Sequence, residues 1–332
     1  MKAYIRSVGV YLPARIVTND ELSQTLNTND DWIFSHTGIH ERRIAAENEA
    51  ASDLAYKAAV AALESLHTQD DSISAADIDL ILLATSTPDY PGLPSTACIV
   101  QERLAAKNAG AMDIVAACTG FIYALETARA FVASGGARNV LVIGAEVYSK
   151  IVNWQDRSTC VLFGDGAGAV LVSAAEENSE SAVIGSFLRS DGSGVEHLFC
   201  PGGGSRQPHH QEKNETDQYL YMNGRQVYIF AVKAIIETVK QLEKQYDLSI
   251  DDVDHVIPHQ ANRRIIEAAC KREGWPEEKF FMNMDRYANT SAASIPIALE
   301  EMEKKNILTR GDRILMVGFG AGLTFGGNYL MW

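Results

Sequence analysis

The feature that most constrains the fold is an internal repeat of long period. The segment Asp77-Ile78-Asp79-Leu80-Ile81-Leu82 has a counterpart in Asp252-Val253-Asp254-His255-Val256-Ile257, 175 residues later. The run 139–145, NVLVIGA, is matched by 313–319, RILMVGF, 174 residues later. In each half a helix-patterned run, 52–66 and 224–242, precedes the Asp-x-Asp strand. Either match alone is weak, because apolar strands resemble one another. Two matches at nearly one offset argue for duplication of a βαβ-type half, expected as residues 1–175 and 176–332. The period is too long for a solenoid. Duplicated α/β halves lie side by side about a pseudo-twofold axis, so equivalent strand ends meet near the centre. Ligands in such folds sit outside strand carboxyl ends. The residues that follow each strand are therefore the ones to inspect.

Between the repeats the pattern is also α/β. Strands are predicted over 78–86, 113–117, 139–146 and 164–172, and helices over 95–104 and 120–133. With 46% hydrophobic and 22% charged residues, the chain reads as globular rather than disordered or coiled-coil. No 18 consecutive apolar residues occur, so no membrane span is expected. The opening MKAYIRSVGVYLP is too interrupted for a signal peptide. The net charge of −14 argues against a nucleic-acid binder, which needs a basic footprint. Cys98, Cys118, Cys160, Cys200 and Cys270 are odd in number, widely spaced and form no CxxC. That usage predicts a reducing cytoplasm and no structural zinc. His209 and His210 lie in PGGGSRQPHHQEKNET, which reads as a surface loop rather than a metal site.

Four segments can carry chemistry. Cys118 stands at a strand-to-helix junction, Ala117-Cys118-Thr119-Gly120. The unpaired N–H groups of a helix start favour thiolate and can face a developing oxyanion. A buried structural cysteine is the other reading. His259 leaves the strand 253–257 at the position equivalent to Ala84, so the fold alone does not require a histidine there. It is either a core histidine bonded to a carbonyl or a functional one. Asn289, in YANTSAAS, can cap the following helical run or donate its amide to a substrate carbonyl. GFGAGLTFGG at 318–327 lacks the Lys-Ser/Thr of a P-loop. Its glycines suit close backbone approach to a reacting atom.

The strings DIVAACTGF, PHQANRRI and YANTSAASIP, in that order, resemble β-ketoacyl-acyl-carrier-protein synthase III. These are the thiolase-fold condensing enzymes that start bacterial type II fatty-acid synthesis. DDWIFSHTGIHERRIA and GFGAGLTFGG fit the same family, and the resemblance spans essentially the whole chain. It implies a duplicated αβαβα layered fold and an acyltransferase that condenses an acyl-coenzyme A primer with malonyl-acyl carrier protein. Cys118 would hold the acyl group, with an oxyanion hole from the backbone N–H groups of Cys118 and Ala321. His259 and Asn289 would bind the malonyl thioester carbonyl, and Phe319 would help exclude water. No metal or redox cofactor is implied, coenzyme A entering as a thioester substrate.

The family commonly sandwiches the adenine of coenzyme A between a tryptophan and an arginine. Trp32 is present, His36 stands at the arginine position, and Arg157 keeps a second base contact. Asn262 is a further substrate contact. Carrier docking is expected at Gln260, Arg263, Arg264 and Arg225, with Ile229 in place of a usual lysine. A homodimer is expected, closed through the loop 89–94, DYPGLP. Competing readings are a specialised condensing enzyme of secondary metabolism and a thiol-dependent acyl-thioester hydrolase.

Overall fold

A computed structural model of the chain describes residues 1–67, 73–176, 178–211 and 214–332. The strands are β1 Lys2–Tyr11, β2 Arg15–Thr18, β3 Glu41–Ile44, β4 Leu80–Ala84, β5 Gly110–Ile114, β6 Asn139–Val147 and β7 Asp165–Ala175. They continue with β8 Ala182–Ser190, β9 Leu198–Phe199, β10 Tyr221–Met222, β11 His255–Pro258, β12 Arg313–Gly320 and β13 Thr324–Met331. The helices are α1 Asn19–Ser23, α2 Asp30–Thr37, α3 Ala51–His67, α4 Thr96–Arg103, α5 Gly120–Ala133 and α6 Gly224–Tyr246. After these come α7 Arg263–Glu273, α8 Met284–Tyr287 and α9 Ser294–Lys304.

Two mixed sheets form the frame, in the orders β1-β7-β6-β4-β5 and β8-β13-β12-β11. In each, two antiparallel pairings are followed by a parallel one. The counterpart of β5 in the second sheet is reduced to a single parallel bridge between Val256 and Phe280. Helices α5 and α9 lie between the sheets, joining Phe121, Leu125 and Leu299 to Leu82, Val142 and Met316 in one core. Helix α3 covers the outer face of the first sheet through Leu54, Ala58 and Ala62. Helices α6 and α7 cover the second through Ile235, Val239 and Ile266. The result is the αβαβα layering of a duplicated thiolase-like α/β fold.

The repeated Asp-x-Asp now has a physical cause. Asp77 and Asp252 each close a capping box, accepting the backbone N–H and the hydroxyl of Ser74 or Ser249 at 2.8–2.9 Å. Asp79 and Asp254 accept the N–H of Arg138 or Arg313, at 2.7 and 2.8 Å, where the neighbouring strand begins. Each motif thus starts one strand and registers the next.

The repeated glycine is explained by the contact between halves. The turns Ala117–Thr119 and Ser291–Ala293 are equivalent by the same offset, and Ala117 and Ser291 share a left-handed backbone with φ of 46° and 49°. Each turn presses on a strand of the other half. A methyl group at Gly144 would stand 2.4 Å from the carbonyl oxygen of Ala292, and one at Gly318 would stand 3.3 Å from Thr119 Cα.

Several boundaries move. The strand expected at 113–117 is Gly110–Ile114, because the backbone turns at Ala117 before the cysteine and Asp113 is spent accepting the N–H groups of Thr96 and Ala97. The strand expected at 164–172 continues to Ala175, and the helix expected to end at 242 continues to Tyr246.

Candidate active site

Cys118 sits on the turn Ala117–Thr119, between β5 and α5, and is 5% exposed. Its closest cover is the end of β12, where a methyl group at Gly320 would stand 2.9 Å from Cys118 Cβ and 3.0 Å from its backbone N. Only glycine lets that backbone lie against the cysteine. The helix start was expected to lower the thiol pKa. Burial outweighs it in the resting site and pushes the thiol up to about 12, the charge of Glu146 adding to the effect while a hydrogen bond with Ser291 opposes it.

His259 follows β11, its N–H bonded to the carbonyl of Val317 at 2.7 Å. The ring is 1% exposed and packs edge-on against Phe319, with centroids 5.1 Å apart. Burial pushes its pKa down to about 3, so the imidazole is neutral at physiological pH. Nδ1 lies 2.7 Å from Ser294 Oγ, which also receives the N–H of Gln260 at 3.5 Å. Among the described residues Nδ1 is the one acceptor bonded to the Ser294 hydroxyl, which thus gives its proton to Nδ1. The hydrogen-bond network therefore assigns the ring proton to Nε2, a donor toward the cavity.

Asn289 is held by its backbone, donating to the Leu162 carbonyl at 2.9 Å and accepting from Gly164 at 3.0 Å. Its Oδ1 accepts the N–H of Ser291 at 2.8 Å. This bond spans two residues within the loop and is not the helix cap read from sequence, since α9 begins at Ser294 with Ala293 at its N-cap; it leaves the amide donors free to face the cavity.

One cavity of about 230 Å³ is lined by Cys118, His259, Asn289, Phe319 and Gly320 at its base and by Trp32, Arg157 and Asn262 toward its mouth. Trp32 stacks on His36 at 4.4 Å, and the Arg157 guanidinium stands 4.4 Å from the same ring. Two groups so close to one ring take opposite faces. His36 is fixed there, its Nδ1 being 2.7 Å from the Trp32 carbonyl oxygen. Asn262 caps α7 by accepting the N–H of Arg264 at 2.9 Å and donates to the His36 carbonyl at 3.0 Å, tying α7 to α2. Ala321, next to Gly320, is half-buried.

Arg225 and Arg264 are exposed, while Arg263 is half-buried with its guanidinium 5.2 Å from the Phe34 ring. Tyr228, in the first turns of α6, donates to the Arg264 carbonyl at 3.4 Å, so the starts of α6 and α7 are neighbours. Gln260 requires a correction. It is 1% exposed, its amide donates to the carbonyls of Pro258 and Phe281 at 2.7 and 3.0 Å, and its Oε1 accepts the N–H of Asn283 at 2.9 Å. It braces two loops and presents nothing to a docking partner.

Sequence reasoning passed over Ser294, Ser291 and Glu146. The first two stood unassigned inside the Asn289 string. Glu146 was detectable as a carboxylate ending an otherwise apolar, doubly covered strand.

Among the described residues, no group of three or more His, Cys, Asp or Glu could hold a metal ion, and no helix is long and apolar enough to cross a membrane. Residues 112–192 match the family described as 3-oxoacyl-[acyl-carrier-protein (ACP)] synthase III, and residues 242–332 match its C-terminal part. The chain is 49% identical over 328 residues to the beta-ketoacyl-[acyl-carrier-protein] synthase III of Clostridium acetobutylicum, covering 99% of this chain and 98% of that one. It is also 49% identical over 331 residues to the protein of that name from Caldanaerobacter subterraneus subsp. tengcongensis, with the same coverage. The crystal structure of 3-oxoacyl-[acyl-carrier-protein] synthase III from Aquifex aeolicus VF5 superposes with a TM-score of 0.90 at 44% identity, covering 99% of this chain and 100% of that one. Likeness at this level, end to end and in both halves, means that the chain belongs to the 3-oxoacyl-[acyl-carrier-protein] synthase III family.

Proposed function

We propose that the protein joins an acyl group, taken from acyl-coenzyme A, to malonyl-acyl carrier protein by decarboxylative Claisen condensation, giving a 3-oxoacyl-acyl carrier protein and starting fatty-acid synthesis. The observation that carries the reading is the meeting of Cys118, His259 and Asn289 on one apolar-walled cavity. Cys118 attacks the thioester carbonyl, and the N–H groups of Cys118 and Ala321 stabilise the oxyanion. Coenzyme A leaves as the thiolate. The malonyl thioester then enters, its carbonyl accepting from His259 Nε2–H and the Asn289 amide. Those two donors stabilise the enolate formed on loss of CO2, and its carbon attacks the acyl group on Cys118. A neutral histidine suits this role, since it donates without competing to protonate the carbanion. Phe319 keeps water from the enolate. Decarboxylation supplies the electron pair, so the chemistry calls for no metal or redox cofactor.

Trp32 and Arg157 are assigned to the coenzyme A base, which takes the face of Trp32 opposite His36 as the Arg157 guanidinium, 4.4 Å from that ring, moves aside to cover the base. Asn262 holds the mouth in shape. Arg264 and Arg225, with Arg263 behind them, form the basic patch that meets the acidic carrier. The reading assigns the enzyme to the cytoplasm, where a reducing environment keeps Cys118 a thiol. It also assigns a homodimer. Among the described residues β5 is an unpaired edge of its sheet, and Val115, just past it, and Leu93, shortly before α4, are 80% and 86% exposed. An uncovered edge beside exposed apolar side chains is what a second copy closes.

The test is mass spectrometry after incubation with acetyl-coenzyme A, followed by malonyl-acyl carrier protein. The expected result is an acetyl adduct on Cys118, discharged into a 3-oxoacyl product on addition of the carrier substrate. Release of free acid without consumption of malonyl carrier would identify a hydrolase and reject the condensation. An adduct on Cys98, Cys160, Cys200 or Cys270 would reject the nucleophile.

A further inference from the structure

Directly behind the nucleophile lies a carboxyl group that the reaction as derived does not use. Glu146, near the end of β6, is 0% exposed. Among the described residues no ion pair reaches it. Its Oε2 accepts the N–H of Ser86 at 3.0 Å and the hydroxyls of Thr87 and Thr85 at 2.8 and 3.3 Å. Its Oε1 accepts the hydroxyl of Ser291 at 3.0 Å. The turn Ser291–Ala293 packs against the turn that carries Cys118, and Ser291 is near enough to the thiol to oppose the rise in its pKa. One serine thus joins the nucleophile of the first half to a buried carboxyl, and its own position is fixed by the left-handed turn and by Asn289 Oδ1.

We propose that Glu146, acting through the hydroxyl of Ser291, accepts the proton of the Cys118 thiol during acylation and holds it until the thiolate is expelled. In the first half-reaction the thiol proton passes to Ser291 Oγ as the Ser291 proton passes to Glu146 Oε1. The S–C bond to the acyl group forms, the bond to coenzyme A breaks, and the coenzyme A thiolate takes a proton from solvent. In the second, the enolate carbon bonds to the acyl carbon, the Cys118 thiolate leaves, and the same two protons return along the same path. The one proton consumed overall is the one that coenzyme A takes, which balances the loss of CO2 from a carboxylate.

The transfer from thiol to carboxylate is uphill and is drawn forward by formation of the S–C bond, but among the described residues the site offers no better acceptor. A thiol held near 12 by burial needs a proton acceptor in place, and the neutral His259 ring has its Nδ1 committed to Ser294. Burial raises Glu146 to about 7, its hydrogen bonds opposing, so it changes state near neutral pH. The titratable groups facing it are Cys118 and Tyr148, whose phenol burial pushes well above its usual value. Across the sheet its register partner is Gly166, and its other neighbours are Ser86 and the hydroxyls of Thr85, Thr87 and Ser291.

The proposal rests on Cys118 being the acylated nucleophile, and the experiment separates the two. Single-turnover acetylation of Cys118 by acetyl-coenzyme A, and its alkylation by iodoacetamide, are followed by site-resolved mass spectrometry from pH 5 to 9. Wild type should show an inflection near pH 7 in both. In Glu146→Gln that inflection should vanish and both rates should fall about 100-fold at pH 7.5, within the range of general-base effects. Ser291→Ala, which leaves the backbone bond to Asn289 intact, should show the same loss, and Glu146→Asp should recover part of it. The loss in acylation should exceed any loss in malonyl decarboxylation by at least 30-fold. If Glu146 were only a nearby charge, removing it would lower the thiol pKa and speed alkylation. Faster alkylation in Glu146→Gln, or equal loss in both half-reactions, overturns the relay. Should Glu146→Gln fail to fold, an unchanged acylation profile in Ser291→Ala overturns it by itself. Absence of any wild-type adduct on Cys118 overturns both the relay and the reading beneath it.

Discussion

Ser294 decides which nitrogen of His259 carries the proton, and so whether the ring can donate to a carbonyl at all. Ser294→Ala frees the ring to take the other tautomer. The expected result is a loss of malonyl decarboxylation of about tenfold, with acetylation of Cys118 retained, both read by single-turnover assay. His259 also leaves a thermodynamic mark. Its pKa is depressed from 6.5 to about 3 by burial, so the folded state favours the neutral ring. The stability this represents is present above pH 6.5 and is lost as pH falls toward 3. His259→Asn should therefore lose less stability than wild type between pH 6.5 and 3, measured by denaturant melts, and parallel curves would refute the assignment. At this scale the sequence carried Cys118, His259 and Asn289, because each stands in a string tied to a strand end. Glu146 and Ser294 were not legible, since their partners lie 145 and 35 residues away and only folding joins them. Gln260 misled for a related reason: a polar residue just past a strand reads as exposed, whereas here its amide turns inward.

At the scale of elements, the alternation and the Asp-x-Asp offset revealed both sheets, because capping boxes and strand starts are local devices. The edge character of β5 was hidden, since its exposure depends on the absence of a neighbour rather than on its own residues. The glycines of β6 and β12 make a sharper point. Gly144→Ala drives a methyl group into the backbone of the turn Ser291–Ala293. Overpacking of this kind costs about 1–3 kcal/mol, and here backbone must move, so the upper end is expected, read as a lower midpoint in denaturant. Gly92→Ala meets open space and should cost only the strain of its left-handed backbone. At the mouth, Asn262→Ala removes the cap of α7 and its tie to α2. A loss of about 1 kcal/mol in stability is expected, with a raised KM for acyl-coenzyme A.

For the whole molecule, a net charge of −14 repels an acidic carrier, so productive encounter depends on the local patch at the starts of α6 and α7. Arg264→Glu should slow reaction with malonyl carrier severalfold more than acylation by acyl-coenzyme A, and the difference should shrink as salt rises past 0.1 M, where screening acts beyond about 10 Å. Equal loss with both substrates would place the defect in the pocket instead. Leu93→Asp with Val115→Asp should convert a dimer to a monomer in light scattering at micromolar concentration. Finally, the two left-handed turns interlock across the halves, each seated on the other half's glycine strand, while among the described strands the last of the first sheet ends at Ala175 and the first of the second begins at Ala182, a single passage. A nick in that passage would yield two fragments, one bearing the thiol and the other the imidazole and amide. Neither has a closed interior alone, yet each is a template for its mate. Co-expressed, they should associate, and condensation would then report reassembly, since no single fragment holds a complete centre.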